Sequence, residues 1–113
     1  MIKTSELTGQ QLDWAVAKCE GNEIAIRKGY LWIPTECYST EWAQGGPIME
    51  REKIGPVWAK LWNKWFVTDK RNAAVMYLGS TMLVAAMRCY VASKLGDEVD
   101  IPDQLTKRGT KNG

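Results

Sequence analysis

Residues 79–98, GSTMLVAAMRCYVASKLGDE, decide the fold of this chain because they form its most apolar helical pattern. Large apolar side chains recur there at spacings of three and four residues, which stacks them on one helical face; they are Leu83, Val84, Met87, Val91 and Leu95. Three alanines keep much of the remaining helix surface small, so that another element can pack closely. A helix of this composition is buried on most sides, which predicts a sheet or further helices around it.

Thr81 and Gly96 mark the two ends of this central helix. The Thr81 hydroxyl can accept a hydrogen bond from a backbone N–H that has no partner within the helix. Gly96 can take the left-handed conformation that ends a helix without a Cβ clash. We therefore predict a helix that begins after Thr81 and ends near Gly96.

A second helix is predicted in residues 8–20. Thr8 and Gln11 have the spacing of a capping box, in which each side chain satisfies a backbone donor near the other. Apolar residues then repeat with the helical period, and Gly21 is placed to end the helix.

Strand patterns occupy much of the middle of the chain. β-forming residues dominate residues 23–33, which predicts a strand or a short hairpin there. Residues 64–68 and 74–78 are predicted to pair as a hairpin, because turn-forming residues lie between them. After the central helix the chain becomes extended again at about residue 99.

The order of these elements predicts one domain of the α+β class. We expect a small sandwich in residues 1–105, in which an antiparallel sheet is covered by about three helices. Residues 106–113 are polar and basic, which predicts a disordered tail. A chain of 113 residues is long enough for one modest core and too short for two.

Composition narrows the possible functions. Histidine is absent, which removes the commonest general base and the commonest zinc ligand. Cys19, Cys37 and Cys89 are far apart in sequence, so we expect free thiols in a reducing compartment. A net charge of +2 does not by itself indicate a nucleic-acid partner. Six tryptophans are compatible with core packing or with stacking on a ligand, and for each one taken singly we expect core packing.

Three blocks of sequence carry a resemblance to a known family. They are SELTGQQLDWAVAKCEG at residues 5–21, YSTEWAQGGPIMERE at residues 38–52 and MLVAAMRCYVASKLGDEVDIPDQL at residues 82–105. Together they resemble the phage NinX-like family of small proteins of unknown function, which is related to the phage α-β-α sandwich domain. The resemblance implies a phage or prophage origin and a location in the host cytoplasm, but it supplies no activity or catalytic residue.

The best candidate site lies in residues 38–46, where a predicted helix from residue 41 to 53 is expected to break at a diglycine. The candidate residues are Tyr38, Ser39, Thr40, Trp42, Gly45 and Gly46. Ser39 or Thr40 can cap the helix, and free backbone N–H groups at the break could bind an anion while Trp42 stacks on a ring. The alternative is a capped helix whose glycines permit close packing.

Arg88 is the other candidate, because a guanidinium inside the most apolar helix needs a partner. It either faces a pocket and binds a phosphate or carboxylate, or it forms an ion pair. The possible ion-pair partners are Glu41, Glu50 and Glu52.

An aromatic and basic strip follows the diglycine. Trp58, Lys60, Trp62, Lys64 and Phe66 could bind single-stranded nucleic acid, although we expect core packing with lysine stems lying over it. The scattered carboxylates of the chain form no pair with a spacing that indicates catalysis. We therefore assign no catalytic residue, metal ligand or cofactor.

These observations favour a binding protein over an enzyme. We expect a phage accessory protein that counters a host defence by sequestering a small anionic nucleotide-like ligand. The alternatives are an inhibitor that masks a host defence protein by direct contact, and an enzyme or accessory factor of phage nucleic-acid metabolism. No membrane partner is expected, and the chain could form a homo-oligomer.

Overall fold

The computed structural model describes residues 2–21, 37–69 and 72–101, without the side chains of residues 72–74. Its elements in chain order are β1 (Ile2–Lys3), a 3-10 turn (Thr4–Glu6), α1 (Gly9–Cys19), α2 (Trp42–Glu52), β2 (Val57–Ala59), β3 (Lys64–Asp69), β4 (Asn72–Gly79), α3 (Met82–Leu95) and β5 (Glu98–Val99). The predicted strand at residues 23–33 and the predicted tail at residues 106–113 lie outside the described residues.

The described strands form two antiparallel sheets. In the larger sheet β3 lies between β2 and β4, and the β3–β4 pair confirms the predicted hairpin. The register places Trp58 opposite Trp65 and Phe66 opposite Leu78. In the smaller sheet β1 pairs with β5, which joins the two ends of the described chain.

α3 lies between the larger sheet and the other two helices. One side of α3 contributes Leu83, Ala86, Met87, Tyr90 and Val91 to a core shared with α1 and α2. The opposite side is built of smaller residues, Ala85, Cys89 and Ala92, which pack on Val67 and Tyr77 of the sheet. This arrangement confirms an α+β fold organised around the central helix.

Both ends of α3 are where the sequence predicts them. Thr81 is the N-cap, and its hydroxyl accepts a hydrogen bond from the Val84 backbone N–H at 3.1 Å. Gly96 follows the last helical residue with φ 91° and ψ −166°. This is a different positive-φ region from the predicted left-handed helical one, and essentially only glycine adopts it.

α1 begins after Thr8, as predicted, but the capping box is wrong. The Thr8 side chain makes no capping hydrogen bond, and the Gln11 N–H instead donates to the Thr8 carbonyl oxygen at 3.1 Å. Gly21 ends the helix with φ 83°, a conformation that favours glycine.

α2 is a continuous helix, so the predicted break at the diglycine is wrong. It runs through Gly45, Gly46 and Pro47 from Trp42 to Glu52, and its N-cap is Glu41 without a side-chain capping bond. Glycine at position 46 removes the Cβ that would clash with the ring of the following proline in a helical conformation. Burial of Ile48 and Met49 then stabilises a helix that local propensity disfavours.

No helix within the described residues is long and apolar enough to span a membrane.

Met87→Asp tests the central position of α3. Met87 is fully buried, so a carboxylate there should cost several kcal/mol, which is comparable to the whole stability of a small domain. Urea unfolding would measure the loss. Ser93→Asp is the control, because it adds the same carboxylate to an exposed position of α3 and should change stability by less than about 1 kcal/mol. Equal stability of the two variants would contradict the fold.

Candidate functional site

The turn before α2 is fixed to α1 by a buried carboxylate. The Ser39 backbone N–H donates to Asp13 Oδ1 at 2.9 Å, and both residues are buried. Burial raises the pKa of Asp13, while the hydrogen bonds with Ser39 act in the opposite direction. This segment is therefore held against the core, and of the predicted site residues Thr40 and Trp42 remain exposed.

Gly45 serves helix packing. A Cβ at Gly45 would collide with the Tyr38 carbonyl oxygen and would lie 2.8 Å from Leu83 Cδ2. The Gly45 N–H donates to the Glu41 carbonyl oxygen at 2.9 Å as part of the helix. The backbone at Gly45 is thus closed to a ligand, which supports the packing role rather than the anion-binding role.

Arg88 binds main-chain carbonyl groups. Its Nε donates to the Leu7 carbonyl oxygen at 2.8 Å and its Nη1 to the Leu78 carbonyl oxygen at 2.6 Å. The predicted ion pairs with glutamates are wrong, because no described carboxylate lies within ion-pair distance of this guanidinium. Burial lowers the pKa of Arg88. A role in anion binding stays a prediction, with two of the guanidinium nitrogens already engaged.

The structure instead reveals a cavity of about 360 Å³ at the C-terminal end of α2. The α2–β3 cavity, as we name it, is lined by Glu52, Lys53, Ile54, Gly55, Val67, Thr68, Asp69, Cys89 and Ser93. Its volume falls in the range of about 300–1,000 Å³ that is typical of small-molecule sites. Ile54, Val67 and Cys89 belong to the small core between the sheet and α3, so the cavity has an apolar wall.

Charged groups of both signs line the α2–β3 cavity. Asp69 has only 8% of its surface exposed, whereas Lys53 is exposed. Glu52 accepts a hydrogen bond from Arg51 Nε at 2.9 Å. A ligand that fits these groups would carry hydrogen-bond donors toward Asp69 and a negative charge toward Lys53.

Lys53 has a strained backbone. It ends α2 in the left-handed conformation, with φ 57° and ψ 47°, and the Ile54 N–H donates back to the Met49 carbonyl oxygen at 2.9 Å. This helix ending is usually made by glycine, because a side chain in the left-handed region costs about 1–2 kcal/mol. Lysine at this position therefore carries a backbone cost that glycine would avoid.

The family model described as Bacteriophage P22, NinX matches residues 3–94. This range contains α1, α2 and all of α3 except Leu95. The chain belongs to this family. The match confirms the resemblance inferred from the three sequence blocks. No curated protein matches the chain at a significant level.

Four aromatic residues of this NinX-family protein, Trp58, Trp62, Trp65 and Phe66, are divided between the two faces of the larger sheet. Trp58 packs edge-on against Trp65, with ring centroids 5.3 Å apart. Trp62 packs in the same manner against Phe66, at 6.1 Å. The predicted single strip from Trp58 to Phe66 is therefore wrong, and so is its burial, because Trp58 and Trp62 are 44% and 47% exposed.

A charged cluster joins the C-terminal ends of α1 and α2 to the middle of α3. Arg51 forms a two-pronged ion pair with Glu20, in which Nη1 lies 3.2 Å from Oε1 and Nη2 lies 2.6 Å from Oε2. The buried Tyr90 hydroxyl donates to the same carboxylate. The hydrogen bond from Arg51 lowers the pKa of Glu20, and burial together with Glu20 raises the pKa of Tyr90.

Sequence reasoning missed the α2–β3 cavity, although one signal for it was present. Asp69 lies between the two predicted strands of the hairpin, where the sequence predicts a turn, yet it continues the period-two pattern of Trp65 and Val67 that faces α3. A carboxylate at the end of an inward-facing pattern could have been recognised as a buried polar group.

Gly45→Ala tests the packing role of the first glycine. The new methyl group has no space, so we expect a loss of about 1–3 kcal/mol in the free energy of unfolding. Gly55→Ala is the control, because nothing lies within 4 Å of a Cβ at Gly55 and this residue is outside the helices. Chemical denaturation of both variants would decide, and the packing role is refuted if Gly45→Ala is as stable as Gly55→Ala.

Glu20→Gln tests the charged cluster through pH. Because the folded pKa of Glu20 is lowered, its stabilisation is present above the unfolded pKa of about 4.3 and is lost as pH falls through the folded value. At pH 7 the variant should be less stable by about 1 kcal/mol, since Arg51 is half exposed and solvent screens the pair. The difference should shrink below about pH 4. Exposed Glu50→Gln is the control and should have little effect at pH 7.

Proposed function

We propose that this protein is a non-catalytic phage accessory protein that sequesters a small nucleotide-like ligand in the α2–β3 cavity. The observation that carries the proposal is the combination, in one cavity, of an apolar wall, the buried carboxylate of Asp69 and the exposed ammonium of Lys53. Small-molecule sites typically combine an apolar lining with a few polar groups that fix the orientation of the ligand.

The chemistry of the lining supports a definite orientation of a nucleotide. A base is flat and largely apolar on its faces, so it would lie against Ile54, Val67 and Cys89. Asp69 can accept hydrogen bonds from the amino groups on a base edge, as carboxylates do in base recognition. The same carboxylate repels a phosphate, which would therefore stay at the rim near Lys53.

Family membership supports the biological setting of the proposal. In the host cytoplasm a protein of this kind would counter a defence system by withdrawing a nucleotide-like signal. The sequence-derived alternatives, masking of a host protein and a role in phage nucleic-acid metabolism, stay predictions. Stacking on Trp42 and anion binding at Gly46 also stay predictions.

Lys53→Gly tests the proposal because it should have two opposite effects. Removing the strained side chain should stabilise the ligand-free protein by about 1 kcal/mol. The same change should reduce the affinity for a nucleoside 5′-monophosphate to that for the matching nucleoside, since the phosphate contact is lost. Thermal shift and titration calorimetry with the four common ribonucleotides would measure both effects, with a stabilisation of about 2.7 kcal/mol expected at a ligand concentration of 100 times Kd.

Asn63→Gly is the matched control for this experiment. Asn63 is the other described non-glycine residue with positive φ, at 54°, and it lies outside the cavity lining. Its replacement should relieve similar strain without any change in nucleotide affinity. The proposal fails if no nucleotide stabilises the wild-type protein, or if Lys53→Gly binds nucleotides as well as Asn63→Gly does.

A further inference from the structure

The larger sheet has an apolar face that no described element covers. α3 packs against the side of the sheet that carries Val67 and Tyr77. Residues of the opposite side, which we call the outer sheet face, are Val57, Lys64, Phe66, Thr68, Met76 and Leu78, with Trp62 packed on Phe66. Val57 is 53% exposed, Trp62 47% and Met76 38%, so the face is open to solvent.

The strand register explains why these residues share one face. Residues that are paired across antiparallel strands point to the same side, and side chains alternate along each strand. Val57 pairs with Phe66, which pairs with Leu78, so three apolar side chains form a row across the sheet. Lys64 lies two residues before Phe66 and therefore projects from the same face.

The β2–β3 segment of this face carries charge of a single sign, whereas Met76 at the β4 side lies near Asp97 and Glu98. Residues 53–68 contain three lysines, and all 13 acidic residues of the chain lie outside this range. Lys60, in the turn between β2 and β3, and Lys64, on the outer sheet face, are both exposed. A chain with a net charge of only +2 thus concentrates positive charge beside the exposed ring of Trp62.

We propose that the outer sheet face binds single-stranded nucleic acid, with bases stacking on Trp62 and Phe66 and phosphates contacting Lys60 and Lys64. Aromatic side chains on a positively charged surface are the general means by which proteins bind single strands without sequence preference. This inference is independent of the α2–β3 cavity, which lies on the other side of β3.

Two observations favour this occupant over a protein or a duplex. Lysine is depleted from protein–protein interfaces, whereas the cationic residues of the segment 53–68 are all lysines. A duplex keeps its bases stacked on one another, so exposed tryptophan rings would find no base face to cover. An unpaired strand satisfies both the aromatic and the basic parts of the surface.

The surface is also held in place before binding. The backbone N–H of Trp62 donates to the Ala59 carbonyl oxygen at 3.1 Å, and the backbone N–H of Asn63 donates to the Lys60 carbonyl oxygen at 3.3 Å. The edge-on contact with Phe66 then fixes the Trp62 ring. A fixed ring loses little conformational freedom when a base stacks on it, which favours binding.

Fluorescence anisotropy with labelled oligo(dT) and oligo(rU) tests the proposal. Oligonucleotides of about 12 nucleotides are suitable, because this length is within the range that small single-strand-binding domains cover. The wild-type protein should bind at least one of the two at low salt. Trp62→Ala should weaken binding by about 5- to 150-fold, which corresponds to the loss of one base–aromatic stack. Trp62→Phe keeps a ring and should retain most of the affinity.

Trp58→Ala is the matched control, because Trp58 is 44% exposed but packs against Trp65 on the opposite face of the larger sheet. It should leave the affinity for the oligonucleotide unchanged. Circular dichroism would verify that each variant is folded, and failure of Trp62→Ala to fold would leave the Trp62→Phe and lysine variants to decide.

Lysine variants supply a second, electrostatic readout. Binding is measured at several salt concentrations, and log Kd is plotted against log salt concentration. Replacing Lys60 and Lys64 by Gln should lower the slope of this plot by about 0.7 for each lysine. Lys3→Gln, at an exposed lysine of β1, should not change it. The proposal is overturned if neither oligonucleotide binds, if Trp58→Ala weakens binding as much as Trp62→Ala, or if the Lys60 and Lys64 variants keep the wild-type salt dependence. Tighter binding to anionic lipid vesicles than to either oligonucleotide would also overturn it and assign the face to a membrane.

Discussion

Burial of α3 on two opposite sides is the constraint on which the rest of the structure depends. The larger side chains, such as Met87 and Val91, face α1 and α2, and the small ones face the sheet. Contact on the sheet side is so close that a Cβ at Gly79 would lie 2.5 Å from the Ala85 backbone nitrogen. Because strand and helix touch there, the sheet cannot shift without disturbing the helical core.

Within the described residues, Arg51 and Arg88 serve a different purpose from the exposed lysines. Arg88 connects the backbone before α1 to the end of β4, and Arg51 connects α2 to Glu20 at the end of α1. A planar guanidinium with several fixed donors suits such internal connections. Lysines at positions 53, 60 and 64 remain exposed, so the charges that can meet a phosphate are those of flexible side chains at the surface.

β3 provides residues to both proposed binding surfaces. Val67 and Asp69 line the α2–β3 cavity, whereas Lys64 and Phe66 belong to the outer sheet face. This division follows from the alternation of side chains along a strand. A substitution in β3 therefore affects one surface directly and spares the other, which makes the two proposed activities separable in the intact protein.

Local sequence patterns were sufficient to determine the elements with strong periodicity and definite ends. The span of α3, its Thr81 cap, the β3–β4 hairpin and the glycine at position 21 all follow from interactions within a few residues of chain.

Tertiary structure decided the rest, because distant residues supplied the deciding energy. Burial keeps α2 helical through its diglycine, and carbonyl groups 81 and 10 residues away in sequence supply the partners of Arg88. The pairing of β2 with β3 determines which tryptophans face solvent on which side, and the contact of α2, β3 and α3 creates the cavity around Asp69. No local pattern encodes these contacts, since each requires chain segments that meet only in the folded protein.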